Sequence, residues 1–312
     1  MKNHTKSITQ YLECCAQEKK LDPKTLKAYQ LDLKQFFLWL DEYARAFEKD
    51  SLRSYLVYIN KTYAASSARR KLASIKAYAA YLEEFAGHTN PFRGLKVRIH
   101  MPKRLPSIIS TEDLNIVFNA LYSSENTLTE GSNAAFQTAR DRVVFELLIA
   151  TGLRVSELCQ LNCGSLSMSD KTIRIMGKCS KERIIQIDNE NTLVSLLDYK
   201  KSVAALWPTR GLRPEQPFIL NRIGNRITDQ SVRFIIKRWG DAAGLTQKIT
   251  PHMFRHTFAT LLLESGVDIR YIQQFLGHSS IQTTEIYTHV ASSKMRAILK
   301  SSNPRLFVDT AN

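Results

Sequence analysis

Apolar residues recur at spacings of three and four through the first hundred residues, a pattern typical of amphipathic helices. One helix is predicted to begin at Pro23, with Asp22 as its N-cap. Its apolar face consists of Leu26, Tyr29, Leu33, Phe36, Phe37 and Leu40. A second helical pattern runs through "SSARRKLASIKAYAAYLEEF", where Leu72, Ile75, Tyr78, Ala79 and Leu82 share one face. The first part of the chain is therefore predicted to be a helical domain.

A basic stretch with several prolines interrupts this pattern. "GHTNPFRGLKVRIHMPKRLPSIIS" contains three prolines and two glycines, which is typical of an interdomain linker. Beyond it, Ser110 is a candidate N-cap with Asp113 three residues later, so a new helix is predicted there. We therefore expect a helical domain at residues 1–98, a basic linker at 99–107 and a second domain at 108–312.

The second domain combines helical spacing with one β-hairpin. In "KTIRIMGKCSKERIIQID", two short runs of alternating apolar residues flank a polar turn that carries Lys178 and Lys181. The stretch "SSENTLTEGSNAAF" is predicted to be a polar loop before a helix in "RDRVVFELLIAT". The predicted fold class is mainly α with a small β-sheet, in which a mixed α/β domain follows the helical one.

The charge of the chain changes this picture, because it indicates a polyanionic partner. Lys and Arg number 44 against 29 Asp and Glu, a formal net charge of +15. Many soluble proteins are basic without a specific reason, so charge alone leaves nucleic acid as one of two interpretations. The helix of "SSARRKLASIKAY" carries Arg69, Arg70, Lys71 and Lys76, and the linker carries Lys103 and Arg104. We predict that these side chains contact DNA phosphates, although a run of charge is often only a solvated helix face.

The cysteines and the N-terminus indicate a cytoplasmic protein. The five cysteines are odd in number and contain no CxxC pair, so reduced thiols are expected rather than disulfides or a zinc site. No apolar run follows the charges of "MKNHTKSITQ", and no stretch of eighteen apolar residues occurs. A signal peptide and a membrane partner are therefore not expected.

Two pairs of polar residues stand at predicted helix starts. Arg154 and Glu157 follow Gly152, which can end the preceding apolar helix. The ordinary interpretation of this pair is a salt bridge at the start of a helix, without a further role. His252 and Arg255 lie in the first turn of another helix, whose free N–H groups favour an anion. The alternative for this pair is simple surface decoration, and His256 is a second candidate histidine near the same face.

The remaining candidates are at the hairpin turn and near the C-terminus. Lysines such as Lys178 are common at turns. In "FLGHSSIQTTEIYTHV", Gly277 is predicted to end a helix, His278 follows it, and Tyr287 lies on a later short helix. The ordinary interpretation of Tyr287 is a half-buried aromatic side chain with a hydrogen-bonded hydroxyl.

Taken together, these side chains fit phosphoryl transfer. Arginines can neutralise the non-bridging oxygens of a phosphodiester, a tyrosine in a cationic pocket can be the nucleophile, and a lysine can protonate the leaving 5′ oxygen. No carboxylate pair for a catalytic metal and no phosphate-binding glycine-rich loop are evident. No metal and no cofactor are therefore expected.

The chain resembles the tyrosine recombinase (phage integrase) family, and most closely its compact Xer-like members. The matching stretches are "TGLRVSEL", "GKCSKER", "HMFRHTFAT" and "LGHSSIQTTEIYTHV", in that order. The resemblance implies that the catalytic residues are Arg154, Lys178, His252, Arg255, His278 and the nucleophile Tyr287, with Glu157 in support. Lys181 is the rival to Lys178. The resemblance also implies a DNA-clamping helical bundle, a 3′-phosphotyrosyl intermediate and exchange through a Holliday junction.

The partners implied by the resemblance are double-stranded DNA with paired inverted sites and further recombinase copies. A homo- or hetero-tetramer with exchanged C-terminal helices is expected, and Met295, Ile298 and Leu299 have helical spacing in the tail. The helix in "TDQSVRFIIKRWGDAAG" could enter a DNA groove, with Arg226, Gln230, Arg233 and Lys237 near backbone or bases.

Two features depart from the compact family pattern and leave the biological role open. The loop at residues 122–138 is longer than a minimal member needs, and Cys179 replaces a glycine often found after the catalytic lysine. The role is therefore either Xer-type resolution or integration and excision of a mobile element. A type IB-like topoisomerase and a non-catalytic architectural DNA-binding protein are the alternative functions.

Overall fold

The computed structural model describes residues 2–100, 107–124, 129, 131–176, 182–210, 213–277 and 300–308. The chain divides into two compact units, Met1–Arg104 and Leu105–Asn312. The described helices of the first unit are α1 (Lys2–Gln17), α2 (Pro23–Glu42), α3 (Lys49–Thr62) and α4 (Ala65–Ala86). The predicted start of α2 is confirmed, because the Asp22 side chain accepts a hydrogen bond from the backbone N–H of Lys24.

The first unit has an aromatic core. Its helices bury the rings of Tyr11, Phe36, Tyr55 and Tyr78, which meet neighbouring rings mostly at steep angles. Such edge-to-face contacts add to the stabilisation that burial alone provides. The stretch just before the predicted linker also packs on this core, through Phe92, Leu95 and Val97, and so does Ile99 at the start of the linker. The chain from residue 87 to residue 100 therefore belongs structurally to the first unit.

The second unit combines helices with a small sheet. Its described helices are α5 (Thr111–Ser123), α6 (Asn133–Thr151), α7 (Val155–Gln160), α8 (Glu190–Leu206), α9 (Asp229–Ala242), α10 (Pro251–Glu264) and α11 (Ile269–Leu276). The described strands are β1 (Leu166–Ser167), β2 (Thr172–Met176) and β3 (Glu182–Gln186), which form an antiparallel sheet in the order β1-β2-β3. The predicted fold class, mainly α with a small sheet, is confirmed. The sheet has one more strand than the sequence indicated, since β1 is too short to show alternation.

Helix α6 lies at the centre of the second unit and is buried along most of its length. It begins at Asn133, where the Ser132 side chain accepts a hydrogen bond from the backbone N–H of Ala135. The helix therefore starts within the stretch that was predicted to be a loop. The first residues of α6 are small and polar, and this concealed the helix start in the sequence. Its interior charge Asp141 is paired with Arg140 and Arg238 and accepts a hydrogen bond from the indole of Trp239.

A short C-terminal segment also packs on α6. The 3₁₀ turn Pro304–Phe307 places Arg305 in the interior, with its side chain fully buried. Its Nε donates to Glu146 Oε1 at 2.8 Å and its Nη1 to the carbonyl of Val308 at 2.6 Å. The guanidinium lies 4.6 Å from the ring centroid of Phe118. A charge can be buried in this way only because it is paired and hydrogen-bonded.

Candidate active site

The turn between α6 and α7 places Arg154. Gly152 ends α6 with φ +61°, and a Cβ there would lie 2.6 Å from Cδ1 of Phe258, so only glycine fits. Arg154 is then the N-cap of α7, and its backbone N–H donates to Glu157 Oε2 at 2.8 Å. Its Nη1 donates to Glu157 Oε1, also at 2.8 Å. The helix-start pair predicted from the sequence is present, and the Arg154 side chain remains 38% exposed.

A second guanidinium binds the same carboxylate from the sheet. Arg183 in β3 donates from Nη1 to Glu157 Oε1 at 3.0 Å and from Nη2 to Oε2 at 2.8 Å. Burial alone would raise the pKa of Glu157, but the hydrogen bonds from Arg183 and Arg154 outweigh it and lower the pKa. Glu157 is therefore ionised at neutral pH and holds two arginines.

Arg183 was missed by the sequence reasoning, although the pattern of the hairpin contained a signal. Residues Ile185 and Ile187 alternate towards the core, and Arg183 is the preceding position of the same alternation. In the sheet Arg183 lies opposite the buried Ile175. A charged residue in a core-facing position requires a partner, and Glu157 is that partner.

The third guanidinium comes from α10. Thr250 and Pro251 begin this helix, so Arg255 lies near its start as predicted, and Arg255 is only 8% exposed. Its Nη1 donates to the carbonyl of Gly152 at 2.8 Å and its Nη2 to that of Leu276 at 2.6 Å. Burial, followed by the charge of Arg154, lowers the pKa of Arg255 to about 10. The alternative of surface decoration is therefore wrong for Arg255, which holds the ends of α6 and α11 together.

The two histidines of α10 are both exposed in its first turns. Partial burial, then the charges of Arg233 and His256 and of the nearby arginines, lower the pKa of His252. His252 is therefore neutral at pH 7 in the free protein. The electrostatic surroundings of this helix start are positive and suited to an anion. The choice of His252 over His256 stays a prediction.

The end of α11 lies against the arginines. Gly277 has φ +61° and its carbonyl is 3.5 Å from Nη2 of Arg154. A Cβ on Gly277 would lie 2.9 Å from Nη1 of Arg183. The predicted helix stop is thus confirmed. The predicted residues Lys178, Lys181, His278 and Tyr287, together with Met295, Ile298 and Leu299, lie outside the described residues.

One predicted DNA contact in the first unit requires correction. Lys71 is 3% exposed, and its ammonium pairs with Asp32 at 3.3 Å, donates to Gln35 and lies 4.5 Å from the ring centroid of Tyr63. Its charge neutralises the buried Asp32, so it is not available to a phosphate. Arg70, which is exposed, also pairs with Asp32. Arg69 and Lys76 are exposed, and Lys103 and Arg104 lie outside the described residues.

In the second unit, Arg226 differs from the other predicted DNA contacts. Its Nη1 donates to the carbonyls of Cys159 and Leu161 at 2.9 and 3.1 Å, and its Nη2 to Asn162 at 2.5 Å. This side chain fixes a loop rather than reaching towards bases, which corrects the prediction for Arg226. Gln230, Arg233 and Lys237 are exposed along α9. Lys237 forms a surface pair with Asp241 at 2.5 Å.

Neither a metal site nor a membrane span is found in the described parts of the chain. Those residues contain no group of three His, Cys, Asp or Glu side chains arranged to hold a metal ion. The described helices include none that is long and apolar enough to cross a membrane.

Comparison with known proteins identifies the family. Residues 122–294 match the phage integrase family, and residues 8–84 match the phage integrase N-terminal SAM-like domain. The chain belongs to the phage integrase family. A tyrosine recombinase of Agathobacter rectalis is 41% identical to it, with 98% of each chain covered. Tyrosine recombinase XerC of Thermodesulfovibrio yellowstonii is 31% identical, covering 95% of this chain and 96% of XerC.

This recombinase also shares its fold with a solved structure of the family. The XerH site-specific recombinase bound to palindromic difH substrate, a post-cleavage complex, matches with a TM-score of 0.68 and 20% identity. The match covers 93% of this chain and 83% of XerH. The chain is thus an enzyme of the tyrosine recombinase class, which cleaves and rejoins DNA strands in site-specific recombination. The topoisomerase and architectural alternatives are not favoured.

Proposed function

We propose that the arginine cluster, which consists of Arg154, Arg183 and Arg255, forms the binding site for the phosphodiester at which this recombinase cuts DNA. The observation that supports the proposal is the convergence of Arg154 and Arg255 beside Gly277, with Glu157 fixing the first of them. Arg154 and Arg255 would neutralise the non-bridging oxygens, and His252 would donate a hydrogen bond to one of them. Three charge-assisted contacts of this kind stabilise the charge that develops during transesterification.

The bond changes assign roles to the remaining catalytic residues. The phenol of Tyr287 gives its proton to solvent water as its oxygen attacks phosphorus, and the bond from phosphorus to the 5′ oxygen breaks. Lys178 supplies a proton to that leaving oxygen, and His278 completes the contacts to the phosphate. The 3′ end of the cleaved strand is then joined to Tyr287 through a phosphotyrosyl bond. Attack by a free 5′ hydroxyl on this bond reverses each step and rejoins the strand. No cofactor is required, because the phosphotyrosyl bond keeps the energy of the broken strand.

We further propose that the active assembly is a tetramer on paired inverted sites. The palindromic substrate of the related XerH presents two inverted half-sites, and exchange between two such sites through a Holliday junction brings four copies together. The first unit, with exposed Arg69 and Lys76, would clamp the duplex, and Gln230 and Arg233 on α9 would contact its backbone or bases. The basic linker at 99–107 would lie along the DNA.

In this assembly we propose that the C-terminal segment passes to a neighbouring copy. The pocket that surrounds Arg305 in the described chain, formed by Glu146, Phe118 and Tyr122, would then hold the arginine of the neighbour. A buried guanidinium with a fixed partner is suited to such an exchange, because it specifies one register of the incoming segment. We place the recombinase in the cytoplasm, since the relatives named above are bacterial proteins and bacterial DNA lies there.

The test begins with the DNA site. Fragments bound by Tyr287→Phe protein are selected from the native genome, and their positions distinguish resolution of chromosome dimers from integration and excision of a mobile element. A selected site is then synthesised with a nick beside the scissile phosphate, so that the cleaved product cannot be rejoined. The unmodified protein is expected to form a covalent adduct with this DNA, and Tyr287→Phe to bind it without an adduct.

The matched control is Tyr271→Phe, which changes a tyrosine of α11 in the same unit. This variant is expected to retain adduct formation. An adduct with Tyr287→Phe would refute the assignment of the nucleophile. Equal losses of binding and cleavage in Arg154→Ala would instead show that the arginine cluster serves DNA binding only.

A further inference from the structure

The strongest unassigned feature of the site is the arrangement around Glu157. Each oxygen of this carboxylate accepts one hydrogen bond from Arg154 and one from Arg183, at 2.8 to 3.0 Å. Four charge-assisted bonds leave the carboxylate a single orientation. The side chain of Glu157 is 7% exposed and that of Arg183 is 16% exposed, so water screens these contacts little.

The charge balance shows why a second arginine matters here. Arg154 and Glu157 alone would form a neutral pair, in which the carboxylate competes with a phosphate for the guanidinium. Three arginines and one glutamate carry a net charge of +2, that is, three positive charges less one negative. Because Arg183 shares the charge of Glu157, more of the positive charge of Arg154 is available to an anion.

The position of Arg183 in the chain adds a second contact. It stands in β3, five positions after Lys178 in the sequence, and its guanidinium packs against Gly277 at the end of α11. A Cβ on Gly277 would come within 3.2 Å of Cζ of Arg183. Arg183 thus joins the start of α7, the sheet and the residue that precedes His278.

We propose that Arg183 is a positioning residue for DNA cleavage, which holds Glu157 so that Arg154 presents its charge to the scissile phosphate. The inference depends on the proposed function, because it assumes that Arg154 contacts that phosphate. Arg183 itself touches no reacting atom and acts through Glu157. In metalloenzymes, loss of a residue that orients a metal ligand costs about 10- to 100-fold in activity. Arg183 orients Glu157 in a similar way, so a loss of that order is expected for Arg183→Gln.

The test measures single-turnover adduct formation with two substrates. One contains the normal scissile phosphate, and the other contains a methylphosphonate there, which removes one negative charge. Arg154→Ala is the reference, since its defect should shrink on the uncharged substrate. If Arg183 acts through the charge of Arg154, Arg183→Gln will also lose less activity on the methylphosphonate, and Arg183→Lys will recover part of the loss on normal DNA.

Three results would overturn the proposal. The first is an equal loss on both substrates, which indicates a structural role only. The second is rescue only by a substrate with sulfur as the 5′ bridging atom, which would assign Arg183 to the leaving-group lysine. The third is full additivity of Arg183→Gln with Glu157→Gln, because residues that act through one another are not additive.

Controls separate these outcomes from misfolding and from failure of the proposed function. Arg174→Gln makes the same substitution on the exposed face of β2 and is expected to leave adduct formation unchanged. Circular dichroism and melting of each variant identify those that do not fold, and Arg183→Lys keeps the charge if Arg183→Gln fails. If the unmodified protein forms no adduct through Tyr287, the proposed function fails, whereas the outcomes above require that adduct and concern Arg183 alone.

Discussion

The buried pair between Arg305 and Glu146 should contribute strongly to the stability of the second unit, and Arg305→Ala tests this. The substitution removes the bond from Nε to Glu146 at 2.8 Å, the bond from Nη1 to the Val308 carbonyl and the stacking on Phe118. Glu146, which is fully buried, keeps hydrogen bonds from Tyr122 and Thr192 at 2.6 and 2.8 Å. It loses its only guanidinium partner among the described residues.

The expected magnitude follows from leaving a buried charge unpaired. Removing one partner of a buried ion pair typically costs about 3–5 kcal/mol, whereas an exposed pair contributes about 0–1 kcal/mol. The remaining hydrogen bonds to Glu146 place the expected loss at the lower end, about 3 kcal/mol. Replacing Glu146 as well should recover part of this loss, because Arg305→Ala with Glu146→Gln leaves no buried charge.

The assay is native-state hydrogen exchange of the α6 backbone amides, which reports on the second unit separately from the first. A loss of about 3 kcal/mol corresponds to roughly a hundredfold faster exchange where opening requires unfolding of the unit. Lys201→Ala is the control, since it removes an exposed pair with Asp198 at 3.5 Å in the same unit. Exchange in Arg305→Ala no faster than in this control would refute the reasoning.

Three further predictions concern the site and its surroundings. Gly152→Ala should destabilise the second unit by about 2 kcal/mol more than Gly266→Ala, because both have positive φ but only the Gly152 Cβ would meet Phe258, and denaturant unfolding measures the difference. An NMR titration should find the pKa of His252 below 6.5 in the free protein and higher with bound DNA, since the duplex offsets the surrounding positive charge; an unchanged value would contradict the proposed phosphate contact. Duplex affinity therefore should rise as pH falls through this region. Arg233→Ala should reduce the slope of log affinity against log salt by about 1, and an unchanged slope would remove Arg233 from the DNA interface.

The elements with clear periodicity and caps could be predicted from the sequence. The start of α2 at Pro23 and the ends of α6 and α11 at Gly152 and Gly277 depend on local chemistry, in which a cap or a left-handed glycine decides the boundary. The pairing of Arg154 with Glu157 was visible for the same reason, because both residues lie in one helical turn.

Contacts between distant segments could not be predicted in this way. Lys71 looked like a surface lysine, since nothing nearby in sequence shows that Asp32 is buried opposite it. The same applies to Arg226, whose carbonyl acceptors lie more than sixty residues earlier. Arg183 was the exception that alternation could have identified, as an inward-facing charge beside Ile185. Where the partner of a buried charge lies in a distant segment, packing decides the pair, and the pattern of one helix or hairpin does not show it.

The attachment of Gly277 to the arginine cluster has a kinetic consequence. Tyr287 is ten positions after this glycine in the sequence, and ten residue steps span at most about 33–36 Å. Whatever conformation these residues adopt, the Cα of Tyr287 is tethered within that radius of Gly277, which lies beside the proposed phosphate-binding site. A tether of this length gives an attached group an effective concentration of roughly millimolar order. The proposed nucleophile therefore encounters the proposed site of its own chain at a local concentration that does not depend on how dilute the protein is.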